Sequence, residues 1–553
     1  MSPRLAAAAL VVVLPALVAT APPTRGPIAF EDTATGAGVA FTLLNSAEGR
    51  KHIIEPMLGG VAILDVDNDG RADIYLVNGA RIPSLEKDSP QYWNRLYRQT
   101  SDNRFVDVTS EAGVTGVGYG MGVAVADYDN DGFSDMFLPG VNRSVLYRNR
   151  RDGTFEDVTR KAGLEGELQR RWAVAGLWLD YDADSHLDLF VVNYLVWRPG
   201  ADRICPNPAA DYRIYCDPKY YEGLPNILFR NNGDGTFSDV SGRTGIAAHV
   251  GKGMSAALSD YDGDGRVDVF VANDTLPNFL FRNSGDGRFR EVGLQAGVSV
   301  NDSGRPVSSM GIDARDYDND GRDDLIVTAL ATQTFPLWRN LGRGVFEDAT
   351  HRTRVAAATM ARSGWSVGFY DLDNDGFKDL LAVNGDVQDN TEVYSSRASR
   401  QGNAVLRNDR HGAFTDVSGA AGPAFVRAAL HRGAAFGDID NDGRVDIIVS
   451  RLNDSAAVFR NVSPAGHWLR MRLVGRRSNR DAIGARVMLE TAAGRQWNHV
   501  TTAAGYVSAS EQTVHFGLGS ETAARVVEIQ WPSGTRQTLR DVKADQVVTI
   551  TEP

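Results

Sequence analysis

The sequence has no surplus of positive charge: Lys and Arg total 58 against 70 Asp and Glu, a formal net charge of -12. That balance argues against a nucleic-acid partner, which needs a basic footprint. Long apolar runs are also missing. Beyond the first residues no segment reaches the ~18 uninterrupted apolar residues of a bilayer-spanning helix, so no membrane span is expected in the mature chain. Cysteine is nearly absent, and the only two, Cys205 and Cys216, are too few for a zinc site. They share one Pro- and Tyr-rich stretch, where a disulfide closing so short a loop would contribute about 3 kcal/mol in an oxidising compartment. What is plentiful is glycine, 57 in 553 residues, which favours short strands and tight turns over long helices. A chain of this length exceeds what a single growing core supports, so it must be several domains or a repeat array.

The start of the chain reads as a secretory leader over residues 1–21. Arg4 precedes the run LAAAALVVVLPALVATA, which ends in an Ala19-Thr20-Ala21 cleavage pattern. A membrane anchor is the competing reading, disfavoured because the run is short for a bilayer and holds Pro15. No cysteine follows it, so no lipid anchor is implied. The expected setting is secreted, periplasmic or extracellular.

Self-comparison shows one pattern, Asp-x-Asp-x-Asp-Gly-x-x-Asp, seven times. The copies, numbered one to seven below, are DVDNDGRAD (Asp65, Asp67, Asp69, Asp73), DYDNDGFSD (Asp127, Asp129, Asp131, Asp135), DYDADSHLD (Asp180, Asp182, Asp184, Asp188) and DYDGDGRVD (Asp260, Asp262, Asp264, Asp268). DYDNDGRDD (Asp316, Asp318, Asp320, Asp324), DLDNDGFKD (Asp371, Asp373, Asp375, Asp379) and DIDNDGRVD (Asp438, Asp440, Asp442, Asp446) complete them. Each sits between a small-residue alternating run and an apolar run, and a hairpin signature follows, which makes four strands per unit. The expected fold is all-β, a seven-bladed β-propeller over residues 28–461. The outer-strand signature FxDVT follows units one to six but not unit seven, while Phe30 to Gly38 supplies a matching copy upstream. An N-terminal strand completing the last blade would close the ring and remove an open edge. The alternating runs of residues 463–553 read as a separate β-sandwich-like domain.

Calcium takes 6 to 8 oxygen ligands, and the loop spacing offers them in a tight curl. Positions 1, 3 and 5 turn carboxylates inward, glycine at position 6 permits the bend, and position 9 closes the cage. Position 7 (Arg71, Phe133, His186, Arg266, Arg322, Phe377, Arg444) donates a backbone carbonyl. The loop is not an EF-hand, because position 12 is Leu76 or Leu138 rather than Glu and a strand follows. Four carboxylates in nine residues repel one another without a cation, and magnesium's near-octahedral demand fits less well. Up to seven Ca²⁺ are expected. The third loop is the doubtful one, since Ser185 stands at its turn position.

These repeats resemble FG-GAP/VCBS repeats, as in integrin α-subunit propellers. The stretches Trp468-Leu-Arg-Met-Arg-Leu-Val-Gly, Gly505-Tyr-Val-Ser-Ala-Ser510, His515-Phe-Gly-Leu-Gly519 and Trp531-Pro-Ser-Gly534 look like an ASPIC/UnbV domain. The combined order is similar to the cartilage acidic protein 1 family and its bacterial relatives. The resemblance implies calcium binding and an extracytoplasmic setting and carries no settled activity.

No catalytic constellation emerges. Gly364-Trp-Ser-Val-Gly368 fits a nucleophile elbow, but it lies in a repeat strand where the elbow requires a strand-turn-helix, so Ser366 is not assigned a role. The face opposite the acidic loops carries long insertions at 81–94, 194–225 and 386–403, the middle one rich in tyrosine around the two cysteines. His52, Arg171, His249, Lys252, His431 and Arg432 precede inner strands, which leaves two readings: solvated loops with scattered charge, the preferred one, or a basic, His-containing axial mouth. The preferred function is a monomeric, calcium-rigidified scaffold binding a protein, glycan or surface ligand. The alternative is an enzyme using that mouth, with Glu55 or a histidine as acid/base.

Overall fold

The computed structural model describes residues 26–200, 203–206 and 212–553, so the leader assigned to residues 1–21 lies outside it. The described residues form an all-β molecule whose helices are single turns, the longest Val355–Thr359. Seven antiparallel sheets of four strands each dominate it. Unit one is representative: Val61–Leu64, Asp73–Leu76, Arg95–Gln99 and Phe105–Asp107 pair in that order, Leu64 opposite Asp73 at the mouth of the acidic loop. In the seventh sheet, His431–Gly437, Asp446–Arg451 and Ala457–Asn461 are joined by Phe30–Asp32, with Phe30 opposite Asn461 and Asp32 opposite Phe459.

Each inner strand touches the inner strands of both neighbouring units, and Val61–Leu64 meets His431–Gly437 of unit seven, so the sheets stand radially around an axis. Small residues line that axis because nothing larger fits: a Cβ on Gly311 would lie 2.0 Å from Trp365 O, and one on Gly433 2.0 Å from Gly59 O. Farther out, the units lock together through aromatics. Tyr128, at position 2 of loop two, lies 5.6 Å from Phe237 in the outer strand of unit three. Tyr181–Phe289, Tyr261–Phe346 and Tyr317–Phe414 repeat this pairing one unit on each time, at 5.5–6.1 Å. Burying two such rings is worth several kcal/mol per junction.

Residues from His467 onward form a second domain of two sheets. Its three-stranded sheet centres on His467–Val474, antiparallel to Val514–Gly519 and parallel to Gln546–Thr551. Its four-stranded sheet runs Arg495–His499, Arg486–Glu490, Ala523–Gln530, Arg536–Lys543. Buried Glu552 pins the end of the chain, accepting from the N–H groups of Arg476, Arg477 and Ser478 and from the hydroxyls of Ser478 and Ser533. Those donors favour its charged form and hold its carboxyl down at about 2, against the burial that opposes them.

The link between the domain's sheets does not stay within it. Residues 502–511 run into the axial channel and bond to its walls. Gly505 exchanges both backbone bonds with Ile312 of unit five. Val123 of unit two donates to Val507, and Ala509 bonds Val61 and Ile63 of unit one. Phe436 of unit seven accepts from Glu511, and Ser366 of unit six accepts the Tyr506 N–H at 3.0 Å. Ser366, buried in the inner strand Gly364–Tyr370, is therefore an anchor for this plug.

Candidate metal centres

The seven acidic loops connect the first and second strands of their units and share one face. Position 1 accepts the N–H of position 6 in every loop and that of position 5 in all but loop four, where Asp264 N–H turns to Asp262 instead; Asp127 accepts from Asp131 and Gly132 at 2.8 and 2.7 Å. Positions 4 and 6 take left-handed backbone in every loop, including Ala183 and Ser185 in the third. Loop three thus keeps the bend of the others while holding two residues there that pay roughly 1–2 kcal/mol each for it.

Position 9 is an anchor as much as a candidate ligand. Asp135, 1 % exposed, accepts from Tyr128 N at loop position 2 and from Asn149 N at the end of the third strand. The same pair of bonds holds Asp73, Asp188, Asp268, Asp324, Asp379 and Asp446. The third-strand Asn then reaches sideways. Asn149 Nδ2 donates to Val66 O in the preceding unit's loop at 2.9 Å. Asn231, Asn283, Asn340, Asn408 and Asn461 repeat the step to Tyr128, Tyr181, Tyr261, Tyr317 and Leu372. Unit one carries Gln99 at this place, and its longer side chain reaches Ile439 O of unit seven at 2.6 Å. The sequence reading missed this girdle, although the repeated Arg-Asn pair ending the third strand marks it.

A second set of links is incomplete. The position-4 asparagines Asn319, Asn374, Asn441, Asn68 and Asn130 each donate to the position-6 carbonyl of the next loop, at 2.7–3.4 Å. These bonds join loops five, six, seven, one, two and three in series. Loops three and four hold Ala183 and Gly263 at position 4 and cannot make the link onward.

Charge compensation is also more elaborate than a count of carboxylates suggests. The third-strand arginine binds the outer oxygen of the position-3 carboxylate: Arg148 to Asp129, Arg230 to Asp182, Arg282 to Asp262 and Arg339 to Asp318, at 2.6–2.8 Å. Arg407 and Arg460 do so for Asp373 and Asp440. The inner oxygen behaves differently. Oδ1 of Asp67, Asp129, Asp182, Asp318 and Asp440 is buried with no hydrogen-bond partner, as is Oδ1 of Asp260 in loop four. Such an orphaned acceptor costs ~1–3 kcal/mol or more unless something else satisfies it. Asp65, Asp67 and Asp73 each bring one oxygen within 4.8 Å of the others, and equivalent trios occur at Asp127, Asp129, Asp135 and at Asp260, Asp262, Asp268. Asp180, Asp182, Asp184 and Asp316, Asp318, Asp320 form trios from positions 1, 3 and 5. Burial, assisted by the neighbouring carboxylates, raises Asp73 to about 7 and Asp268 to about 8. An all-oxygen donor set with a recurring unsatisfied oxygen suits a hard divalent cation, so the residues fit calcium.

The opposite face differs from the sequence expectation. Among the described residues it holds no open basic mouth. Arg432 is fully buried, donating to the carbonyls of Pro56, His431 and Asp386 and lying 4.0 Å over the Trp365 ring. His431 is fully buried beside Asn384 O, and burial pushes it down to about 3, so it stays neutral. His249 packs against Phe279 and Phe281, and Arg171 pairs with Glu167. Glu55 accepts from the His52 N–H and the Tyr215 hydroxyl, which occupies the carboxylate proposed as acid/base.

Between these groups lies a cavity of about 420 Å³ with an acidic rather than basic lining. Asp217, Asp274 and Asp386 face it with a single Arg397, over Met57, Met254 and Met310. Asp274 is buried, takes a 2.6 Å hydrogen bond from Tyr194 and is raised by burial to about 6. Ile214 to Pro218 line the same cavity, from a hairpin closed by the Cys205–Cys216 disulfide. That hairpin crosses from unit three to unit six: Tyr215 and Gln388 exchange two bonds at 2.7 and 2.9 Å, and Tyr212 stacks on Tyr394.

Acidic oxygen-donor loops on one face of a radial array of four-stranded sheets define a propeller of acidic-loop repeats. The chain belongs to the FG-GAP-like repeat family, whose pattern matches residues 65–138, 220–271, 260–327, 316–382 and 388–449, more than half of its length. Residues 475–553 match the ASPIC and UnbV family. The chain is similar to human cartilage acidic protein 1, 26% identical over 515 residues covering 89% of this chain and 71% of that one. The mouse protein is 26% identical over 517 residues, covering 89% and 73%. Solved structures that align include an Agrocybe aegerita lectin recognising non-reducing terminal N-acetylglucosamine, at TM-score 0.38 and 16% identity over 66% of this chain and 81% of that one. A Bacillus licheniformis rhamnogalacturonan lyase aligns at TM-score 0.37 and 12% identity, over 73% and 71%. Neither likeness is close enough to carry an argument. Among the described residues no helix is long and apolar enough to cross a membrane.

Proposed function

We propose that the chain is an extracytoplasmic, calcium-rigidified binding scaffold whose acidic loops hold Ca²⁺ and whose opposite face holds the ligand. The observation that supports the calcium reading is the inner position-3 oxygen, buried and without a partner in five loops, while an arginine takes the outer oxygen in four of those five. A divalent ion would satisfy the inner oxygens together with positions 1 and 5, and would supply charge and rigidity rather than chemistry. The disulfide favours a setting outside the cytoplasm, where calcium modules commonly bind at ~10⁻⁴–10⁻³ M. Titration calorimetry on the chelator-stripped protein is expected to show uptake of several Ca²⁺ per chain. No uptake up to 5 mM, a concentration above the roughly 10⁻³ M end of that range, would refute the reading.

For the ligand we infer a small, uncharged or positively charged polar molecule seated in the cavity under the disulfide hairpin. Three aspartates against one arginine disfavour an anion, and the methionine floor suits the apolar face of a glycan residue or an amine. Binding screened by thermal shift with neutral saccharides, amines and anionic sugars should select from the first two groups. It should vanish in Asp274→Asn with the propeller intact. A preference for anionic ligands would count against the site.

A further inference from the structure

The second domain sits directly on the acidic-loop face, and its contacts fall on the loops' own functional positions. Asp481 accepts the backbone N–H of Asp127, position 1 of loop two, at 2.7 Å. Glu511 accepts the equivalent N–H of Asp438 in loop seven at 3.0 Å. Arg470, 2 % exposed, donates to the Asp438 carboxylate at 2.8 Å and to Asn441 at 3.0 Å, while its other nitrogen pairs with Glu511. Asn130, the position-4 residue of loop two, accepts the Arg480 N–H at 2.8 Å. Two backbone donors and two asparagine oxygens of the loops are therefore offered to the domain only while those loops keep their curled shape. The link at Glu511 is also the end of the segment that plugs the axial channel.

We propose that cation occupancy of loops two and seven and docking of the second domain form one coupled equilibrium. Losing the cation loosens the domain and withdraws residues 502–511 from the channel. The proposal rests on the calcium reading above. Arg470 alone would act in the opposite sense, because an empty loop leaves the Asp438 carboxylate freer to attract it. That attraction is already shared with Glu511 and Thr513, whereas the bonds at Asp127, Asp438 and Asn130 do not involve Arg470 and depend on the shape of the loops. The domain thereby becomes a reporter of calcium, and the channel beneath the ligand cavity opens when calcium falls. Tyr506 couples the two faces: its hydroxyl donates to Met57 O, and Met57 lines the cavity floor.

The test is hydrogen exchange of the full chain under stepwise chelation, with calcium uptake measured on the same sample. Peptides spanning 502–511 are expected to exchange at least tenfold faster once calcium is removed, before the inner strand Ala173–Leu179 loses protection. Calcium uptake with unchanged protection at 502–511 overturns the coupling and leaves the calcium reading standing, whereas no uptake at all sinks the calcium reading itself. Should chelation open the whole propeller in one step, the reciprocal arm decides. Coupling requires that Asp481→Asn, or Glu511→Gln if the first fails to fold, weaken calcium binding about fivefold or more. Unchanged affinity in a variant whose plug already exchanges freely would overturn it.

Discussion

Loops five, six, seven, one and two differ from loops three and four in a residue that is not among the candidate ligands. Both groups place four aspartates in the same curl, but only the first has asparagine at position 4 to bond the next loop. Every loop of the first group also bonds the second domain, loops two and seven at the backbone N–H of position 1. Loop three accepts the Asn130 bond from loop two but passes none onward, and loop four lacks the position-4 link on both sides, which leaves the girdle bonds of Asn231, Asn283 and Asn340 to hold this part of the ring. Identical motifs thus sit in unequal mechanical settings, because a hydrogen bond to a neighbour resists distortion that a free turn absorbs.

Removing calcium should break this comparison most strongly. Each ion held at a hundredfold excess over its Kd contributes ~2.7 kcal/mol, so chelation of several sites is expected to lower Tm by 10 °C or more. In a calorimetric scan at limiting calcium, units three and four should melt first. A single unshifted transition would show the loops to be equivalent. Next comes the girdle. Asn461→Ala strands the Leu372 and Val445 carbonyls in the core, and a loss of about 2–3 kcal/mol in urea unfolding is expected. Asn441→Ala removes only an exposed 3.4 Å bond to Gly70 together with an acceptor for Arg470, and should cost under about 1 kcal/mol. Comparable losses would mean that the two kinds of link are interchangeable.

The comparison is sharpened from the other side by repairing loop three. Ser185→Gly relieves a left-handed serine and should raise stability by roughly 1 kcal/mol. Ala183→Asn would add the missing onward link. Calcium affinity of that loop is expected to rise a few-fold in the double variant, measured by native mass spectrometry. The smallest effect lies outside the ring. Because Glu552 is held down at about 2, its contribution is present above its ordinary value of 4.5 and is lost as pH falls from there toward 2. Glu552→Gln should flatten that part of the acid-unfolding curve and leave neutral calcium binding unchanged.

The all-β class, the sevenfold repeat and the family could be read from the chain because each repeat writes its strands, turn and acidic loop into contiguous residues. The disulfide was legible for the same reason, with only two cysteines eleven apart. The position-9 aspartates looked like ligands and nothing more, since their bonds to third-strand amides join residues 14 to 43 positions apart. The plug was invisible: Ala509 and Val61 are neighbours only once both domains are folded. Of the two readings of the mouth, neither scattered solvated charge nor a basic rim describes it. His431 and Arg432 precede an inner strand as expected, but the convergence of strands at the axis buries them and leaves Asp217, Asp274 and Asp386 to face the space.

The pairing of Phe30–Asp32 with unit seven has a consequence for the order of assembly. Thr33 and Val458 are bonded across 425 positions of chain, so the seventh sheet cannot be finished until nearly the whole array exists. Until then the strand Phe30–Asp32 has no partner, and Gln99 has no Ile439 carbonyl to reach. The ring is therefore fastened last at a single seam, and a nascent or truncated chain that stops short of Asn461 leaves its first-made strand with nothing to close.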